Sequence, residues 1–190
     1  MSDAGESDEA LLTRYANGDV AAFARLYARH EMRVWRYLQR NVGNRATADE
    51  LMQDVWFAVA RDAARYQPTA RFTTWLFTIA RNRMIDTVRT QRRTVSLESV
   101  DLESGAVLAQ LSTEPSVGPL AAVVVREQAA ALSEAMAQLP SEQRDAFLLQ
   151  VEGDLSVEEV ATVMRSSFET TKSRLRYARS RLRELLHEFA

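Results

Sequence analysis

Apolar residues recur at steps of three and four along most of this chain, and no stretch alternates apolar and polar positions as a half-buried strand would. The pattern predicts an all-α protein. A short helix is expected over Asp8 to Ala16, ending near Asn17-Gly18. A longer one is expected from about Asp19 to Arg40, with Phe23, Leu26, Tyr27, Val34 and Leu38 on its buried side. Gly43 marks a turn between Asn41 and Asn44. Thr47 and Glu50 have the spacing of a capping box, and the helix they open carries Leu51, Val55 and Val59 at steps of four. Pro68 closes the following segment, and Thr73 or Thr74 starts a helix running to about Arg89.

Residues 94–119 break the pattern. These 26 residues hold four acids, no cation, two prolines and two glycines, Gly105 and Gly118. They read as a linker with little fixed structure, with a short helical turn expected at most near Val107 to Leu111. At about 3.3 Å per residue the linker reaches at most ~85 Å. Beyond it, a helix is expected from Leu120 to about Gln138, stopped before Pro140. Another covers Ser141 to Val151 and ends at Gly153. Ser156 with Glu159 forms a second capping box, opening a short helix to Met164; Ser166 with Glu169 forms a third, opening a long helix to about Glu188. The expected organisation is two small helical domains, 1–93 and 120–190, joined by an acidic flexible linker over 94–119.

At 46% hydrophobic and 26% charged, the composition is globular. The absence of cysteine excludes disulfides and thiolate metal sites and suits a reducing cytoplasm. The acidic start, Met1 to Glu9, lacks the order of a signal peptide. The longest apolar run, Leu120 to Val125, is far short of the roughly 20 residues that span a bilayer. A cytoplasmic protein without membrane insertion is therefore expected. The net charge of −2 is unevenly spread. Residues 71–93 carry +5 and residues 165–190 carry +4. Two basic blocks in an acidic chain fit two anion contacts, although two solvated helix faces would have the same charge.

The short helix followed by a long basic one, about 157–176, is a helix-turn-helix pattern. At roughly 100° per residue, Leu175, Ala178, Leu182, Leu185, Leu186 and Phe189 share one side of the long helix. Lys172, Arg176, Arg179 and Arg183 line one flank, Arg174 and Arg181 the other, and Glu169, Ser173 and Tyr177 point away. Cations on both flanks suit a helix in the major groove between two phosphate backbones. An amphipathic helix with solvated arginines, or a dimerising coiled coil, would share the pattern. In the first domain, Trp75, Thr78, Asn82, Asp86 and Arg89 form a polar stripe edged by Arg81 and Arg83. Such a stripe with one aromatic suits single-stranded DNA, while Trp75 taken alone is more often a core residue. Asp49, Glu50, Gln53 and Asp54 make an acidic, amidic face that alone reads as solvated; Trp56 is expected in the core. His30 and His187 stand alone on predicted helices and are expected at the surface. No metal-ligand spacing, glycine-rich phosphate loop or nucleophile triad is visible, so no catalytic residue, metal or cofactor is expected.

These segments carry a resemblance. Leu139-Pro-Ser-Glu-Gln-Arg144, Phe147-Leu-Leu149, Leu155-Ser156, Glu159-Val-Ala161 and Thr171-Lys-Ser-Arg-Leu175 resemble region 4 of the extracytoplasmic-function group of the sigma-70 family. Asp49-Glu-Leu-Met-Gln-Asp-Val-Trp56, the run from Arg71 to Asp86, and Arg92-Arg93 resemble region 2 of the same family. The two matches stand in the family's order and cover nearly all of the chain. The resemblance implies a sigma factor that binds core RNA polymerase and directs promoter recognition, DNA melting and transcription initiation. It implies that Asp49, Glu50, Gln53 and Asp54, with Phe57, dock on the β′ clamp helices, and that region 4 meets the β flap. It implies that the polar stripe and the loop from Tyr66 to Phe72 read the −10 element, giving Arg71, Phe72, Trp75, Thr78, Arg81, Asn82, Asp86, Arg89, Arg92 and Arg93 as DNA-binding. It implies that residues 167–176 face the −35 element, giving Ser167, Phe168, Glu169, Thr170, Lys172, Ser173, Arg174 and Arg176, with Arg179 on the same stripe.

The family also implies an anti-sigma factor, often at the inner membrane, and a linker that threads the RNA exit path. The chain departs from the family at three positions: Arg165 and Glu169 stand where the family often has Gly, and Thr171 where it often has Val. If position 165 needs a positive φ, arginine there costs about 1 kcal/mol or somewhat more. Glu169 could cap the helix or accept from a cytosine amino group. The alternatives are a helix-turn-helix regulator that binds operators as a dimer without polymerase, and an all-helical adaptor or enzyme.

Overall fold

The computed structural model describes residues 5–95 and 119–187, with side chains over 5–91 and 128–187. The linker turn near Val107 to Leu111 and the face position Phe189 lie outside the described residues. Among those described, the chain forms eight α-helices: α1 (Asp8–Ala16), α2 (Val20–Val42), α3 (Arg45–Asp62), α4 (Phe72–Val95), α5 (Pro119–Ala137), α6 (Ser141–Gly153), α7 (Val157–Met164) and α8 (Phe168–Leu185). A short 3-10 turn, Ala63–Arg65, follows α3.

Side-chain caps set most of these boundaries. Ser7 accepts from the Ala10 N–H at 3.2 Å and starts α1; Asp19 accepts from the Ala22 N–H at 3.2 Å and starts α2. Gly43, at φ 71°, ends α2 in the left-handed region that glycine enters without steric cost. Asn44 then caps α3 by accepting from the Thr47 N–H at 3.1 Å. The cap thus sits three residues before the expected Thr47–Glu50 box, because the asparagine amide takes the free N–H first. Ser156 and Glu159 do form a reciprocal box, at 3.2 and 2.8 Å. The cap of α8 is Ser167, bonded to the Thr170 N–H at 3.1 Å, one residue later than expected. Ser166 instead bonds the buried Thr171 hydroxyl at 2.7 Å, and Glu169 takes no part in the cap. Each such cap contributes about 1 kcal/mol. α4 runs six residues past Arg89, since Thr90 to Val95 contain neither Pro nor Gly.

Helices α1–α4 enclose one part of the core with Leu11, Leu26, Val34, Leu38, Leu51 and Val55. Helices α5–α8 enclose another with Leu139, Leu148, Leu149, Val160, Leu175 and Leu182. The two lobes pack directly, α2 against α6 and α4 against α7. Gly153 lies at that junction, where a Cβ would stand 2.9 Å from Leu155 Cγ and 3.3 Å from the Phe77 ring. His30, expected at the surface, is buried instead. It sits between Leu26 and Val34 at steps of four, its Nε2 lies 2.6 Å from the Asp8 carboxylate, and its ring faces Phe72.

Candidate nucleic-acid interface

The helix-turn-helix closes through a backbone that strains one residue. The Arg165 N–H donates to the Thr162 carbonyl at 3.2 Å and the Ser166 N–H to the Ala161 carbonyl at 3.0 Å, which ends α7 and turns the chain into α8. This geometry holds Arg165 at φ 52°, the left-handed conformation that glycine would take without strain. Thr171, Leu175, Ala178 and Leu182 are buried beneath α8. Its outer face presents Ser167, Phe168, Glu169, Thr170, Lys172, Arg176 and Arg179, while Ser173 and Arg174 are half-buried. The cations differ in their company. Arg174 pairs with Glu142 at 2.8 Å, and Arg179 donates to Gln150. Lys172 lies 5.8 Å from the Phe168 ring centroid and Arg176 4.9 Å from that of Tyr177; neither has a carboxylate partner among the described residues. Stacked, solvent-facing cations along the first half of the outer face of α8 are disposed to meet phosphate.

On α4 the expected stripe is realised in part. Asp86 and Arg89 are exposed, and Trp75, Thr78 and Asn82 are half-buried along the same edge. The Trp75 ring is held 5.1 Å from Tyr66 and 6.0 Å from Phe72, so its position is fixed by packing. Phe72 is fully buried: its ring faces His30, and its N–H donates to the Glu9 carboxylate at 2.8 Å. That bond is the main reason the Glu9 carboxyl is held below its usual range. Arg81 is also buried, so this arrangement leaves neither Phe72 nor Arg81 on the outer edge. Arg92 and Arg93 continue α4, and their side chains lie outside the described residues.

On α3, Asp49, Glu50, Gln53, Asp54 and Phe57 are all exposed, Phe57 to 72%. Asp49 accepts from the Trp35 indole N–H at 2.7 Å. A shallow groove between α2 and α3 runs beside this face, lined by Tyr27, Met32, Trp35, Asp49 and Gln53. Sequence reasoning missed Met32 and Trp35. Their signal was available as apolar positions on α2 outside its buried stripe.

Sequence reasoning also missed a polar seam between the lobes. Asp145 of α6 accepts from the Tyr37 hydroxyl and from Arg81 Nε, both at 2.7 Å. Glu152, one helical heptad on, accepts from Arg36 at 2.9 Å and Arg40 at 2.6 Å. Glu159 of α7 accepts from the Thr74 hydroxyl at 2.8 Å and lies 3.5 Å from Arg71, which also donates to the Asp154 carbonyl at 3.2 Å. Burial pushes the Asp145 carboxyl up despite Arg81 and Tyr37, and burial beside Asp145 pushes the Tyr37 hydroxyl far up. For Glu159, burial is outweighed by the Ser156 N–H, the Thr74 hydroxyl and the Arg71 charge, which hold its carboxyl below the usual range.

Among the described residues no group of His, Cys, Asp and Glu could hold a metal, and no helix is long and apolar enough to cross a membrane. Residues 26–94 match the family described as Sigma-70 region 2, and residues 129–182 match that described as Sigma-70, region 4. The chain is 34% identical over 178 residues to the RNA polymerase sigma factor CarQ of Myxococcus xanthus, covering 93% of this chain and 96% of the relative. It is 35% identical over 167 residues to the ECF RNA polymerase sigma factor RpoE of Cereibacter sphaeroides, covering 87% of each. Its fold is similar to that of the sigma factor RpoE solved with the anti-sigma factor NepR from Bartonella quintana (TM-score 0.73, 24% identity, 88% of this chain and 98% of that one). It is also similar to CnrH solved with the cytosolic domain of CnrY (TM-score 0.67, 23% identity, 97% of this chain and 100% of that one). With both regions present in order and a relative 34% identical along nearly the whole length, this chain belongs to the sigma-70 family, in its extracytoplasmic-function group.

Proposed function

We propose that this chain is an RNA polymerase sigma factor that binds core polymerase and directs it to promoters by contacting two DNA elements. The observation that carries this reading over a stand-alone helix-turn-helix regulator is α3. There Phe57 is 72% exposed among Asp49, Glu50, Gln53 and Asp54, a surface that a second DNA contact does not need and a protein partner would cover. Domains 1–93 and 120–190 divide the work, with 94–119 as the tether.

On the upstream element, the start of α8 enters the major groove. Lys172, Arg176 and Arg179 meet phosphate, while Glu169, Thr170 and Ser173 face base edges, Glu169 as an acceptor for a cytosine amino group. On the downstream element, the edge of α4 holds an opened strand. Extruding a base costs a few kcal/mol, and stacking on an aromatic returns about 1–3 kcal/mol per base. The fixed Trp75 ring supplies the stack, Asn82 and Asp86 supply polar contacts, and Arg71 and Arg89 supply salt-sensitive affinity. Selective binding of the open strand shifts the duplex toward melting without fuel. Nucleotide joining belongs to the polymerase, so this chain acts without chemistry of its own. It works in the cytoplasm, and the anti-sigma partners of the RpoE and CnrH neighbours support one for this chain.

The test is transcription in vitro with purified core polymerase on a genomic fragment library. Adding the chain is expected to form a stable complex with core and to create new start sites. If core neither binds it nor changes its start sites, the reading is wrong.

A further inference from the structure

We propose that Glu9 is a positioning residue for strand capture: its carboxylate, by holding the Phe72 N–H, fixes the loop from Tyr66 to Phe72 and the Trp75 ring on which an opened base would stack. This rests on the proposed reading of α4. It adds a residue that stands outside the segment matching Sigma-70 region 2, residues 26–94.

A helix needs acceptors for its first free N–H groups. Helices α1, α2, α3, α7 and α8 supply their own: Ser7, Asp19, Asn44, Ser156 and Ser167 each take the N–H three residues on. The start of α4 has no such donor of oxygen beside it, because Ala70 and Arg71 carry no side-chain oxygen. The Phe72 N–H donates instead to Glu9 Oε1 at 2.8 Å, in a residue 63 positions away. A carboxylate there also meets the positive end of the helix dipole. The start of α4, and with it the end of the preceding loop, is therefore set by α1.

Asp8 and Glu9 hold Phe72 from two sides. The Asp8 carboxylate lies 2.6 Å from His30 Nε2, and the His30 ring faces Phe72 at 5.3 Å. The segment carrying both acids is tied to α2, since Glu6 accepts from Arg25 at 3.0 Å and Asp8 from Arg29 at 2.9 Å. Phe72 passes the constraint outward. Its ring is 6.0 Å from that of Trp75, which is 5.1 Å from that of Tyr66, and the Tyr66 hydroxyl closes the loop on the Ala70 carbonyl at 2.8 Å. The Tyr66 hydroxyl is pushed up by burial and then by the Glu9 charge, so the same carboxylate acts near both ends of the loop. A ring already held in place needs no ordering when a base stacks on it.

Charge alone predicts the opposite sign. Glu9 is an acid in the lobe that would hold a polyanion, so its removal should tighten the binding of any strand. A positioning role makes the same removal weaken binding.

The experiment uses the full-length chain labelled with 5-fluorotryptophan, whose three tryptophans give three fluorine lines; Trp75→Phe assigns that of Trp75. Binding of a short random-sequence single-stranded DNA is measured in a Lys172→Ala/Arg176→Ala background that silences α8. Glu9→Ala is expected to move the Trp75 line, to leave those of Trp35 and Trp56 in place, and to weaken strand binding about 10-fold, since apparent affinity scales with the competent fraction. Glu9→Gln removes the same charge but keeps an acceptor for the Phe72 N–H. It is expected to return the Trp75 line to its place and to recover most of the affinity. Glu134→Ala, the same loss of charge at an exposed site on α5, is expected to change neither readout. The proposal is overturned if Glu9→Ala binds the strand as tightly as the unsubstituted chain or more tightly, or if Glu9→Gln is as weak as Glu9→Ala. It is also overturned if all three lines move together, which would mark a general loosening, or if the unsubstituted chain holds no strand. Core-polymerase binding, scored on the same variants, is expected to be unchanged. A chain that never binds core, yet loses strand affinity in Glu9→Ala and regains it in Glu9→Gln, overturns the sigma-factor reading and leaves the role of Glu9 standing.

Discussion

Replacing Arg176 with alanine gives a quantitative test of how α8 meets DNA. Its guanidinium stacks on Tyr177 and has no carboxylate partner among the described residues, so a phosphate contact there releases close to a full counterion. One such contact contributes about 0.9 to the slope of log affinity against log salt on duplex DNA. Over the fourfold change from about 50 to 200 mM salt, the advantage of the unsubstituted chain over Arg176→Ala should therefore shrink by about 3.5-fold. Arg174 provides the contrast. It is already paired with Glu142 at 2.8 Å, so part of its charge is offset before DNA arrives, and Arg174→Ala should change the slope by clearly less. Glu169→Ala should leave the slope nearly unchanged and relax base preference at one position, since it removes an acceptor and no cation. The assay is fluorescence anisotropy on a duplex carrying the upstream element of a responsive promoter, titrated at several salt concentrations. Equal slopes for the unsubstituted chain and Arg176→Ala would refute the placement of α8 on the backbone, as would a larger change for Arg174→Ala than for Arg176→Ala.

Three further expectations concern the scaffold. Phe72→Ala should cost about 3–5 kcal/mol in chemical denaturation without DNA present, because the ring is fully buried; an unchanged midpoint would contradict that burial. Arg165→Gly should relieve roughly 1–2 kcal/mol of left-handed strain and return about 0.4–1 kcal/mol of it through a freer unfolded chain, for a small net rise in melting temperature; a fall would contradict the strain argument. Glu9→Gln should cost about 1 kcal/mol at neutral pH, because the carboxylate accepts the Phe72 N–H at the start of α4. Since the Glu9 carboxyl titrates lower in the folded chain than in the unfolded one, its contribution is complete above the usual glutamate range and is lost as pH falls through the lowered folded value. The gap between the two melting curves should therefore close in acid, and a gap independent of pH would show that charge is not involved.

Much of the scaffold was legible in the sequence because periodicity and capping are local. Helices α1 and α7 fall where the pattern put them, and the Ser156–Glu159 box forms as read. The positive φ at Arg165 meets the condition raised by the glycine that the resembled family often has at that position. The misplaced caps have a common cause: in Asn44-Arg-Ala-Thr47 and Ser166-Ser167 more than one side chain could serve, and the choice depends on which one the backbone presents to a free N–H. His30 and Tyr37 escaped because a pattern that scores polarity cannot tell a solvated polar tip from one satisfied across a core, here by Asp8 and by Asp145.

The seam between the lobes was not legible for a deeper reason. Asp145 and Glu152 stand seven residues apart on α6, a spacing that shows they share a face but not what the face meets. By every local rule an acid is a solvated residue. It becomes a buried one only where cations from a distant part of the chain converge on it, as Arg81, Arg36 and Arg40 do here. The same fact bears on the meaning of the net charge. A value of −2 looks unfavourable for a protein that binds nucleic acid, yet the acids of the seam are matched by arginines of the seam, and residues 71–93 and 165–190 carry +5 and +4. Net charge summed over a whole chain is the same in every conformation, so the field an opened strand would meet at α4 is set by the local basic block and not by that sum.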